Sequence, residues 1–113
     1  VPTIVLNDNA DLSAGKILFK KLTPDKSGIA SVLSALHSSN ILSVIVEGGT
    51  KLLQSFINEG VWDEMRVITN TQLIIDEGVS APDFRNANHR STESFGTDSV
   101  AYYTNTKDAY GVS

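Results

Sequence analysis

The chain has 113 residues, 41% of them apolar and 19% charged, which is the composition of one small folded domain and not of a disordered segment. Thirteen acids against nine bases give a net charge of −4, which argues against a general nucleic-acid binder, since that needs a basic face. With no cysteine there is neither a disulfide nor a thiolate metal site. The two histidines, His37 and His89, lack metal-ligand spacing. No apolar run approaches the roughly 18 residues of a membrane span, and no secretory signal is expected. The sequence reads as a cytoplasmic, metal-free domain without a membrane partner.

In chain order, Val1 to Leu6 is β-rich and runs into the turn residues Asn7-Asp8-Asn9. A second strand is expected from Lys16 to Leu22, after Gly15. Ile29, Val32, Leu33 and Leu36 recur at helical spacing and predict a helix that Asn40 stops. Leu42 to Val46 is a short, nearly continuous apolar run, as in a parallel strand buried on both faces. Leu52, Leu53, Phe56 and Ile57 predict a second helix, with Gly60 as its C-terminal cap. Glu64 to Thr69 reads as a strand, with continuation through Leu73-Ile74-Ile75. Residues 76–94 read as a long polar loop, with a short strand near residues 93–95. Val100 to Tyr103 marks a final strand, and residues 106–113 form a frayed tail. The order β-β-α-β-α-β-loop-β predicts an α/β fold with a partly parallel sheet and an antiparallel edge.

The segment with most chemical content is Val44-Ile-Val-Glu-Gly-Gly-Thr-Lys51. A buried strand that ends in two glycines and passes at once into a helix places unpaired N–H groups and a positive dipole end beside backbone that a phosphate can approach. That makes Gly48, Gly49 and Thr50 candidates for a phosphate. The tetrapeptide alone fits a tight turn with Thr50 as helix cap at least as well, and neither dinucleotide nor mononucleotide glycine fingerprints are present. Glu47 reads equally as a dipole-complementing surface acid, and Lys51 as an ordinary surface charge. Asp63 and Glu64 point to opposite faces of a strand and make no acid/base pair. The same alternation sends one of Tyr102 and Tyr103 inward and the other outward. Trp62 reads as packing.

Ser43-Val-Ile-Val-Glu-Gly-Gly49, Leu52-Leu53, Phe56, Gly60, Trp62-Asp-Glu64, the loop Gly78-Val-Ser-Ala-Pro82 and the upstream Pro2-Thr-Ile-Val-Leu-Asn-Asp8 together resemble the reductase domain of the bifunctional riboflavin-biosynthesis deaminase/reductase. The resemblance spans about residues 1–105. It implies a dihydrofolate-reductase-like fold, a mixed and mostly parallel sheet flanked by helices. It implies NADPH-dependent reduction of a phosphoribosylamino-pyrimidine to its ribityl form. Gly48, Gly49 and Thr50 would then meet the cofactor phosphates, Glu47 would lie where sugar and nicotinamide meet, and Asn7 and Asp8 would lie near the adenosine end. That family's domain is about twice this length, so residues 1–113 are expected to be its C-terminal half. The expected partners are the other reductase half, a zinc deaminase domain and a second copy of the chain, and the piece alone is expected to be inactive. Another reductase of the same fold, or a fragment whose Gly-Gly turn is purely structural, is the alternative; the acid at Glu47 speaks against a folate enzyme, whose turn carries an apolar residue or glycine there.

Overall fold

The computed structural model describes residues 2–7, 9, 11–22 and 28–106. Asp8 and the tail from residue 107 lie outside them. The chain divides into two compact units, Val1–Val46 and Glu47–Ser113, each with its own three-stranded sheet.

In the first unit, β1 (Thr3–Asn7), β2 (Leu12–Ala14) and β3 (Ile17–Lys21) precede the helix α1 (Gly28–Ser38). The sheet order is β1-β3-β2. β1 and β3 are parallel, with Thr3 opposite Ile17 and Asn7 opposite Lys21. β2, a strand beyond those expected, forms a hairpin with β3 through the two residues Gly15 and Lys16, and Gly15 holds φ +61° at the first turn position. Helix α1 buries Ile29, Ser31 and Ala35. It ends as expected at Asn40, which adopts a left-handed φ of 62°. The Ile41 amide returns to the Leu36 carbonyl and the Asn40 amide to that of His37, the two bonds of a Schellman closure.

The second unit comprises α2 (Thr50–Glu59), β4 (Glu64–Asn70), β5 (Ala87–Phe95) and β6 (Asp98–Asn105). Gly60 closes α2 in the same way, with φ 68° and the bonds Gly60 N–H to Ile57 O and Val61 N–H to Phe56 O. Phe56 is its buried residue. The sheet order is β4-β6-β5, antiparallel throughout. The β5–β6 hairpin turns on Gly96 and Thr97, with Gly96 at φ 62°.

The α/β class holds, with two helices and two small sheets, but four expectations are corrected. First, the pairing is mostly antiparallel: β1–β3 is the one parallel pair among the described strands. Second, Leu42–Val46 forms no strand and is not buried; Leu42 is 95% and Ile45 88% exposed. An apolar run marks where a strand could be covered, but a strand exists only where a neighbour accepts its backbone bonds. Residues 42–48 join no ladder among the described residues. Third, β4 does not continue through Leu73–Ile75. The Asn70 side-chain oxygen accepts from the Gln72 and Leu73 amides at 2.9 and 2.7 Å, which bends the chain out of the strand. Fourth, the polar loop up to residue 94 is shorter than expected, because β5 begins at Ala87. Its sequence is polar on both faces and carries little hydrophobic alternation; pairing with β6 across a two-residue turn makes it a strand, with an irregularity between His89 and Ser91.

Candidate functional site

Glu47, Gly48, Gly49 and Thr50 all belong to the second unit, at the start of α2. Gly48 has φ +146°, a conformation that side chains rarely adopt. Gly49 is the N-cap residue, with φ −71° and ψ 162°, and no side chain caps the helix. Thr50 is therefore the first helical residue and not the cap. The first helical bond runs from the Leu53 amide to the Gly49 carbonyl at 3.2 Å. The amides of Thr50, Lys51 and Leu52 have no acceptor among the described residues. Three N–H groups thus converge at the positive end of the helix dipole, beside exposed backbone at Gly48 and Gly49. A methyl group placed on Gly49 would meet nothing within 4 Å, so the space in front of this turn is open.

The Gly78–Pro82 loop runs beside this turn. The Thr50 hydroxyl donates to the Ser80 carbonyl at 2.6 Å. One turn further, the Gln54 side-chain amide donates to the Asp83 carbonyl and its oxygen accepts from the Asp83 amide, both at 2.9 Å. Gln54 also donates to Asn58 Oδ1 at 3.0 Å. Thr50, Gln54 and Asn58 stand four residues apart and so share one face of α2. Residues 80–83 follow that face from the first turn of the helix to the second. Val79, 87% exposed, lies one residue from the Ser80 anchor, so it stays within about 4 Å of Ser80 along the chain.

The other candidates fall elsewhere. Asn7 ends β1 in the first unit, where its side chain accepts from the Asn9 amide at 2.8 Å and donates to the Lys20 carbonyl at 3.3 Å. It thus organises the turn after the strand. Glu47 is exposed. A cavity of about 520 Å³ opens at the opposite end of α2, walled by Asn58, Gly60, Trp62, Phe84 and Arg85. A second, of about 360 Å³, lies on the sheet between Arg66, Arg90 and Tyr102. The Gly-Gly turn lines neither of these two cavities. Trp62 is half-buried in the wall of the first, and Asn105 Nδ2 donates to the Trp62 and Gly60 carbonyls at 2.8 and 3.0 Å. Tyr102 and Tyr103 do alternate. Arg66 lies 5.5 Å over the Tyr102 ring, while Tyr103 packs edge-on against Phe84 and His89 at 5.0 and 5.3 Å. Both are half-buried, so neither is fully in or out. Reading the sequence did not find Gln54: a glutamine on a half-polar helix carries no signal until the loop that it binds is in place.

The family model of the RibD C-terminal domain matches residues 2–94. The chain belongs to that family. The match takes in the Glu47–Thr50 turn, the Gly78–Pro82 loop and the β1 segment, the stretches that carried the resemblance. The RibD C-terminal domain is the reductase domain of a riboflavin-biosynthesis protein, and the mixed α/β fold is consistent with part of it. None of the curated proteins compared with the chain matches it. Among the described residues no helix is long and apolar enough to cross a membrane.

Proposed function

We propose that the chain is part of an NADPH-dependent reductase that converts 5-amino-6-(5-phosphoribosylamino)uracil to its ribitylamino form, within a larger cytoplasmic deaminase/reductase. The observation that carries this reading is the turn at the head of α2. It offers three amides without acceptors among the described residues, two exposed glycines and no capping side chain, in a chain of the RibD C-terminal domain family. When bound, NADPH supplies the hydride. The residues of this chain bind and orient. The Thr50, Lys51 and Leu52 amides donate to a phosphate, while Gly48 and Gly49 let it come close. The Thr50 hydroxyl proton is committed to the Ser80 carbonyl, so Thr50 contributes its backbone amide. Glu47, one residue before the turn, would repel a phosphate directly against it. It suits instead the hydroxyls of a sugar or the amino group of a pyrimidine, as an acceptor. A catalytic proton donor is assigned to none of these residues.

Titrating NADPH against the chain, read by nicotinamide fluorescence, tests the cofactor half of the reading. Saturable binding supports it. The second reading, a piece that associates without catalysis, draws on the run at residues 42–46, exposed at Leu42, Val44 and Ile45, which no strand of the described residues pairs. It predicts no NADPH binding by this chain and self-association, or pairing with the remainder of a reductase domain.

A further inference from the structure

The Gly78–Pro82 loop has no strand or helix of its own to hold it beside the Gly-Gly turn. What fixes it is a pair of side chains on α2. Thr50 holds Ser80 by one bond. Gln54 holds Asp83 by two, using its amide as donor and its oxygen as acceptor on one peptide unit. A side-chain amide that satisfies both the N–H and the C=O of one residue mimics a strand neighbour and fixes both position and orientation. Both bonds are exposed, so the clasp rests on two bonds made at once to one peptide unit and not on exclusion of water. Asn58 Oδ1, the acceptor of a third bond from Gln54, steadies the same amide from the helix side.

We propose that Gln54 is a positioning residue for the cofactor site. By clasping Asp83 it holds residues 78–82 against the first turn of α2, so that this loop forms a fixed wall beside the phosphate-facing amides. The inference rests on the cofactor reading of the Gly48–Thr50 turn. Gln54 touches no ligand in this role; it acts through the loop. Without the clasp the loop keeps the single Thr50–Ser80 bond, and ligand binding must then order the loop as well as the ligand.

The test uses this chain in four forms: wild type, Gln54→Leu, Gln54→Glu and Asn58→Ala. Each is titrated with NADPH, and exchange of the Asp83 amide hydrogen is followed without cofactor. Gln54→Leu removes both bonds to Asp83 at similar side-chain volume. It is expected to weaken NADPH binding by about fivefold to tenfold and to speed exchange at Asp83, whose amide loses its acceptor. Gln54→Glu keeps the acceptor and loses the donor, so it should protect the Asp83 amide while weakening NADPH to a smaller extent. Asn58→Ala removes the bond that steadies the Gln54 amide but leaves both bonds to Asp83, so it should weaken NADPH binding by less than about twofold, well short of Gln54→Leu. A merely structural role for Gln54 would have both Gln54→Leu and Asn58→Ala alter stability with no change in affinity, and that pattern overturns the proposal. Faster exchange at Asp83 with unaltered NADPH affinity in Gln54→Leu overturns it too. Wild type that binds no NADPH overturns the cofactor reading and this inference with it, whereas a wild type and a Gln54→Leu that bind equally overturn the inference alone.

Discussion

Substitutions at the two adjacent glycines separate backbone strain from ligand access, because their geometries differ. Gly48 sits at φ +146°, and an alanine Cβ there would meet Leu52 Cδ2 at 3.4 Å, an ordinary contact. The cost of Gly48→Ala is therefore conformational. A side chain in such a region costs about 1–3 kcal/mol, and the stiffer unfolded chain returns about 0.4–1 kcal/mol. The net loss is about 1–2 kcal/mol. With an m-value near 1 kcal/mol/M for a unit this small, the urea midpoint should fall by about 1–2 M. Gly49 has φ −71°, with nothing within 4 Å of an added Cβ. Gly49→Ala should stay within about 0.5 kcal/mol of wild type, since alanine caps less well than glycine but restricts the unfolded chain. Gly49→Asp should stabilise by about 0.5–1 kcal/mol, as a better N-cap beside the helix dipole. For NADPH the order inverts: Gly49→Asp places a carboxylate where the phosphate would sit and should weaken binding by at least about tenfold. Urea unfolding followed by Trp62 fluorescence reads the first quantity, and NADPH titration reads the second. An unchanged midpoint in Gly48→Ala would refute the backbone argument. Full NADPH affinity in a stabilised Gly49→Asp would remove the turn from the cofactor site.

In the full-length enzyme, Glu47→Gln should lower kcat/KM for the pyrimidine by roughly tenfold while NADPH affinity changes little; steady-state kinetics with each substrate varied separately would show it, and an unchanged pyrimidine kcat/KM would make Glu47 a surface acid. Gly60→Ala should destabilise α2 by about 1 kcal/mol, because φ 68° is left-handed and nothing near the new Cβ compensates; thermal unfolding by circular dichroism measures it. Leu42→Lys combined with Ile45→Lys should change stability by less than about 0.5 kcal/mol, since both side chains are exposed. The same pair should reduce self-association in light scattering, whereas a buried strand at residues 42–46 would make it severely destabilising.

Local rules written in the sequence determined the two helices and their ends. The spacing of Ile29, Val32, Leu33 and Leu36, and of Leu52, Leu53, Phe56 and Ile57, needs no distant partner to make a helix face. Asn40 and Gly60 stop those helices through their own backbone preferences, and both do so with the same left-handed closure. The Gly-Gly turn was legible too, since a glycine at φ +146° before a helix is a local matter. What needed a second segment was not legible. Leu42–Val46 has the composition of a strand, yet strand formation depends on a neighbour's hydrogen bonds, and none of the described residues supplies them. β5 is the converse, a polar stretch made into a strand by its pairing with β6. Gln54 shows the same division within the site. Its place on the face of α2 follows from its spacing with Thr50 and Asn58, but its hold on Asp83, 29 residues on, exists only once the loop has come back to the helix.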